Sequence, residues 1–211
     1  MVAFQHEHRH VFDIVGGRLA IDFVNTVSGK RLLAPIERLH DYGDVLSWAE
    51  QVGETTGART KALRRIAREH PRQAEAVLAR AKELREALYR IFSAVAAQER
   101  PNGADLELFN RELADAFSHL RVAEKADGFG WSFCDEEALE SVLWPVSRSA
   151  ADVLMKDDPA RVRMCEALDG CGWLFYDETR NGKRRWCSMK DCGNRAKARR
   201  HYAKSKEDAQ D

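Results

Sequence analysis

Four of the five cysteines, Cys165, Cys171, Cys187 and Cys192, fall within 28 residues of a 211-residue chain. They form two pairs, C-x5-C and C-x4-C, with fifteen residues between them. The first residues, Met1-Val-Ala-Phe-Gln-His-Glu-His, show no basic segment followed by an apolar one, so the expectation is a cytoplasmic chain. In that setting clustered, paired cysteines favour metal over disulfides. Four thiolates suit a tetrahedral Zn2+ and leave no open position, which predicts one structural zinc ion and no metal catalysis. An iron–sulfur cluster is the competing reading, and a redox pair is disfavoured because neither pair is C-x-x-C. Residues 172–177 read as a strand, Arg180-Asn-Gly-Lys as a turn and 184–186 as the returning strand, with a helix beginning near Cys192. This knuckle, hairpin and helix predict a treble-clef-like module. Cys134, alone, reads as a small apolar residue.

Charge sharpens the picture. The chain has 34 Lys+Arg and 34 Asp+Glu, but this neutrality is a cancellation. Residues 180–206 hold eleven Lys/Arg against Asp191 alone, a formal +10, whereas residues 1–179 sum to −7. A basic end on an acidic body predicts an anionic partner for that end, with nucleic acid the leading candidate. With 44% hydrophobic residues the chain is globular, and no apolar run approaches the length needed to span a bilayer, so no membrane partner is expected.

Most of the body reads as helix. Leu19, Phe23 and Val27 repeat at helical spacing after a short strand and glycine turn over 11–17. Asp22, Asn25 and Thr26 then cluster inside an apolar segment, either as a hydrogen-bonded lock or as the floor of a ligand pocket that His40 could join. Helices are expected over 44–52, 60–69 and 71–98. In the last, Val77, Ala81, Leu84, Leu88, Ile91 and Val95 form an a/d-type seam; with fewer than three full heptads it favours packing inside a bundle over a dimer stripe. A further helix carries Leu106 to Leu120. Alternation at Phe129, Trp131 and Phe133 behind Asp127-Gly128 then predicts a β-hairpin over about 120–134. The helix over 139–154 contains Pro145, implying a kink or a late start. Alternating His6, His8 and His10 could share one face, but a solvated terminus is the simpler reading. The expected class is α+β, mostly α, divided at Asp157-Asp-Pro159. Residues 1–159 form a helical domain with a small hairpin, 160–206 the zinc module, and 207–211 an acidic flexible tail.

Arg185-Trp-Cys-Ser-Met-Lys-Asp-Cys-Gly-Asn-Arg-Ala-Lys197 resembles the motif of CGNR zinc-finger proteins, named for Cys192 to Arg195. Cys171-Gly-Trp-Leu-Phe-Tyr-Asp177 is also similar to that family. Gly17-Arg-Leu-Ala-Ile-Asp-Phe-Val-Asn-Thr26 resembles the opening motif of the ABATE domain that precedes this finger. The departure is in the first cysteine pair, which encloses five residues where the family pattern has four. The resemblance implies a bacterial, stress-induced transcription regulator.

On this reading the terminal helix binds DNA. Arg195 and Arg199, sharing a face with Tyr202 and Lys206, are candidate base readers. Lys183, Arg184, Arg185 and Lys190 would hold phosphates, with Lys197, Arg200 and Lys204 on neighbouring faces. Two or three of these cations could instead neutralise the −2 of a Zn(Cys)4 centre. The alternatives are a zinc-stabilised protein-interaction module, or a small-molecule sensor using Asp22, Asn25 and Thr26. No nucleophile elbow, phosphate loop or open metal site suggests an enzyme. A homodimer and a small-molecule effector are both compatible with the sequence.

Overall fold

The computed structural model describes residues 11–135 and 137–207. His6, His8 and His10, and the tail beyond Glu207, lie outside the described residues. Helix α1 (Leu19–Val24) is followed by strands β1 (Val27–Lys30) and β2 (Ala34–Glu37), then by helices α2 (Tyr42–Gln51), α3 (Gly57–Glu69), α4 (Pro71–Ala96) and α5 (Gly103–Ser118). Strands β3 (Leu120–Lys125) and β4 (Gly128–Phe133) precede α6 (Trp144–Met155), β5 (Val162–Met164), β6 (Leu174–Tyr176) and α7 (Asn194–Glu207). The strands pair two by two as antiparallel hairpins: β1 with β2, β3 with β4 and β5 with β6. The chain is mostly α within an α+β whole, as expected.

Local chemistry sets the helix ends. Asp41 and Asp44 form a reciprocal capping box on α2. Thr56 and Asn102 accept N–H bonds at the starts of α3 and α5, and Pro71 opens α4 where its missing N–H costs nothing. Pro145 sits in the first turn of α6, after a 3-10 turn over Leu139–Val142, so it marks a late start. The α4 seam is internal: Val77, Ala81, Leu84, Leu88 and Ile91 are all buried, so it is not a dimer stripe. Around it pack α1, whose Phe23 ring lies 5.0 Å from Trp48 of α2, and the buried faces of α5 and α6.

Three elements differ from expectation. Residues 11–17 are not a strand. The Gln51 amide takes both backbone groups of Phe12, at 2.8 and 2.6 Å, leaving little for a ladder. Helix α1 stops at Val24, where the Thr26 hydroxyl bonds the Phe23 carbonyl at 2.7 Å and the chain turns into β1. The strand over 174–176 pairs with 162–164 and not with 184–186. Asp177 takes the Arg184 N–H at 2.9 Å, and the Arg185 carbonyl accepts from Glu166 N–H at 2.9 Å, so the returning segment is bonded without a ladder.

Strand β6 belongs to two cores. Leu174 and Tyr176 are buried with α1, α4 and Val162 in the main core. Phe175 and the adjacent Trp173 pack with Cys165, Cys171, Cys187 and Cys192 in a second, small one. The two-residue period of a strand thus joins the cysteine-bearing segment to the body through one element.

Candidate metal centre and basic face

The four cysteine sulfurs converge to within 4.8 Å of one another, and all four residues are buried. Cys171 Sγ lies 3.7 Å from Cys187 Sγ, which lies 3.6 Å from Cys192 Sγ. A Zn–S bond of about 2.3 Å gives a tetrahedron with edges of about 3.8 Å. These spacings match that edge and are far from a disulfide. Without a cation the sulfurs oppose one another. Contacts from Cys171 and Cys187 concentrate the charge on Cys165, while Cys171 and Cys187 are pushed up. Burial, aided by those charges, pushes Cys192 to about 12. A dication resolves this conflict, and the site fits one structural zinc ion.

The surrounding chain is built to hold that geometry. Cys165 N–H bonds the Trp173 carbonyl at 2.8 Å as β5 and β6 diverge. Gly170 and Gly172, at φ +81° and +65°, turn the first knuckle, and a Cβ on them would meet Leu33 at 2.5 Å and Leu32 at 2.6 Å. The five-residue loop of the first pair is pressed against the β1–β2 turn. Cys192 lies in a wide turn over Met189–Gly193 that leads into α7, where free N–H groups favour thiolate charge.

The Cys-Gly-Asn-Arg run gains a physical meaning here. Arg195 donates from Nη2 to Cys192 Sγ at 3.0 Å and from Nε to Asp169 at 2.9 Å. Arg199 also reaches Asp169, at 3.2 Å. Asn194 bonds the Lys190 carbonyl at 2.9 Å, holding the wide turn against the helix. Gly193 lies under Met189, whose sulfur would be 2.8 Å from a Cβ. Arg195 thus acts as a counter-ion to the thiolate centre.

Two other expected phosphate contacts also have partners within the module. Arg184 donates to the carbonyls of Trp186 at 3.0 Å, Val15 at 3.1 Å and Cys187, with its guanidinium 4.4 Å above Phe175. It is a brace inside the zinc module. Arg185 pairs with Glu166 at 2.6 Å and lies against the Trp186 ring. By contrast, Lys183, Lys190, Lys197 and Arg200 are exposed, and their side chains have no hydrogen bond or ion pair among the described residues. At 100° per residue, Lys197 lies opposite Arg195 and Arg199, and Arg200 lies about 100–140° from them. One side of α7 therefore serves the metal centre and the other is left for solvent or a partner.

Asp22, Asn25 and Thr26 are buried and hydrogen-bonded within the fold. Asp22 accepts the Gly16 N–H at 2.7 Å, and burial pushes its carboxyl up to about 6 against bonds from the Gly16 and Val15 backbone. Asn25 bonds both backbone groups of Leu174. Thr26 bonds Phe23 and accepts from Arg85 at 3.3 Å. These are the locks of the chain entry, and His40 is an exposed partner of Asp44. A groove of about 380 Å3 instead lies between the β1–β2 hairpin and α4, lined by Arg31, Glu37, Arg85, Glu86 and Tyr89 with Val27 and Pro35. There Arg85 grips Glu37 through two bonds of 2.7 Å. Burial alone would raise the Glu37 carboxyl, but Arg85, the Leu39 N–H and Lys82 hold it at about 2.

This lining was not anticipated from sequence. A charged Arg85 beside the α4 seam was the available signal.

Residues 17–157 match the ABATE family, described as "Putative stress-induced transcription regulator", and residues 161–205 match the CGNR zinc finger. No curated protein matches the chain. No described helix is long and apolar enough to cross a membrane.

Proposed function

Because this chain belongs to the ABATE family and ends in a CGNR zinc finger, we propose that it is a cytoplasmic, non-enzymatic transcription regulator that binds DNA through the outer side of the finger. The observation that carries this reading is the division of labour among the cations. Arg184, Arg185, Arg195 and Arg199 serve the zinc module and its acids, whereas Lys183, Lys190, Lys197 and Arg200 remain solvated. The −2 of the metal centre is met by the first group, so the second is surplus to folding. Uncommitted cations on a metal-stapled helix (Lys197, Arg200) and on the segments leading to it (Lys183, Lys190) suit phosphate contact through counterion release.

The test is titration of labelled duplex DNA with full-length, zinc-loaded protein across a salt series. Tight binding at low salt that weakens steeply with salt supports the reading; no affinity at low salt overturns it. The protein-interaction reading has its own observation, because Leu32, Leu33 and Leu168 are exposed around the first knuckle. Capture of a partner protein that survives nuclease, together with absent DNA binding, would favour it.

A further inference from the structure

The β3–β4 hairpin projects from the body with the wrong face outward for a solitary protein. In its register Leu120 faces Phe133, Val122 faces Trp131 and Glu124 faces Phe129, so one side of the hairpin is largely apolar. Yet Phe129 is 83% exposed, Val122 64% and Trp131 52%. The hairpin is anchored at its base. Phe133 lies 5.7 Å from the Trp144 ring, His119 stacks on Trp144 at 4.0 Å, and Cys134 N–H bonds the His119 carbonyl at 2.9 Å. Among the described residues, no other strand pairs with β3 or β4. A two-stranded hairpin without a covered face is marginal in water.

The two edges are not equivalent. Strand β3 carries Arg121, Glu124 and Lys125, the charges that discourage edge-to-edge association. Strand β4, Gly-Phe-Gly-Trp-Ser-Phe, carries none. We propose that β4 pairs antiparallel with β4 of a second copy of this chain, joining two hairpins into a four-stranded sheet across a twofold axis.

Symmetry supports a second copy over an unrelated occupant. A twofold axis normal to the sheet sets residues of the same parity opposite one another, since opposed side chains in an antiparallel pair share a face. Phe129, Trp131 and Phe133 of one copy then face the same set of aromatics on the other, and the small Gly128, Gly130 and Ser132 meet on the reverse side. Aromatic pairs of this kind are among the more favourable cross-strand contacts. Large aromatic side chains bury about 150–250 Å2 each when fully covered, and Phe129 and Trp131 on β4 are the exposed ones that cross-strand contact reaches. Together they offer less than the about 800 Å2 per partner of a standard interface, so the pair is a weak, concentration-dependent dimer. The pairing stands independently of the DNA reading, and it would give a single-finger chain two fingers.

The experiment is sedimentation velocity on full-length, zinc-loaded protein without DNA, over a wide concentration range. Wild type is expected to move from monomer to twice the monomer mass. Phe129→Lys and Trp131→Lys should each raise the dimer dissociation constant at least tenfold, with zinc content and circular dichroism unchanged. Amide exchange in wild type gives a second readout: outward N–H groups of β4 should gain protection with concentration while those of β3 do not. A wild type that stays monomeric, or a dimer that both variants leave intact and β4 unprotected, overturns the proposal.

Discussion

Asn25 donates from Nδ2 to the Leu174 carbonyl at 2.8 Å and accepts the Leu174 N–H at 3.2 Å, across 149 positions of sequence. One side-chain amide thus imitates a strand partner for β6, and it does so where both residues are buried. The same seam is closed by Trp173 Nε1 on the Val27 carbonyl at 2.9 Å and Arg31 N–H on the Cys171 carbonyl at 3.0 Å. Tyr89 Oη adds a bond to the Gly172 carbonyl at 3.0 Å. The finger is bonded to the body, not merely tethered after it.

Replacing Asn25 with Ala leaves a buried donor and a buried acceptor on Leu174 without partners. Each unpaired group costs about 1–3 kcal/mol, so Asn25→Ala should destabilise the whole chain by about 2–4 kcal/mol. Urea unfolding followed by circular dichroism measures it. A change under about 0.5 kcal/mol would mean that solvent reaches Leu174 freely.

Zinc removal should be felt in the body. A strong chelator, or Cys187→Ser, releases the knuckle that holds Trp173 against Val27 and Arg31 against the chain at Cys171. The thermal transition of the helices should fall by several degrees, together with a shift in Trp173 fluorescence. A flexibly linked finger would lose its own structure and leave the helical transition where it was.

Much of this was legible in the sequence where a period or a spacing carried it. The α4 seam, the hairpin behind Asp127-Gly128 and the four ligands all announce themselves by regular intervals. What was not legible depends on partners distant in the chain. Strand β1 holds Gly29 and β2 holds Pro35, so neither shows strand alternation, and the turn between them is held by the zinc knuckle at Gly170 and Cys171. Strand β5 is three residues long, too short to carry a pattern. Charge counting could not tell Arg195 from Lys197, because only the fold places Asp169 and Cys192 beside the first.

That distinction separates two phenotypes. Arg195→Gln removes a counter-ion from the thiolates and should weaken zinc retention, read as faster metal release to a colorimetric chelator. Lys197→Gln and Arg200→Gln should leave zinc release unchanged. Each should instead reduce the magnitude of the DNA salt slope by about one. If the Lys197 and Arg200 variants bind DNA like wild type while Arg199→Gln does not, the reading face is the inner one and the assignment above fails.

Asp22 makes a pH prediction with a definite sign. Its carboxyl sits at about 6 in the fold against 3.8 as the ordinary value, because burial penalises the charge more than the Gly16 and Val15 N–H groups relieve it. A raised acid pKa means the folded state binds the proton more tightly than the unfolded one. The stabilisation is full below about pH 4 and is lost as pH rises through about 6, a swing of up to about 3 kcal/mol. Asp22→Asn removes the titration but keeps an oxygen for the Gly16 N–H. Its amide would face Val15 N–H, which adds a cost that does not vary with pH. The stability of Asp22→Asn relative to wild type should therefore climb between about pH 4 and pH 7 and then level off. Taking the difference cancels Glu37 and Asp177, whose depressed carboxyl pKa values act in the opposite direction in both proteins. Urea midpoints across that range measure it, and a flat difference would show that the Asp22 charge is not penalised by its burial.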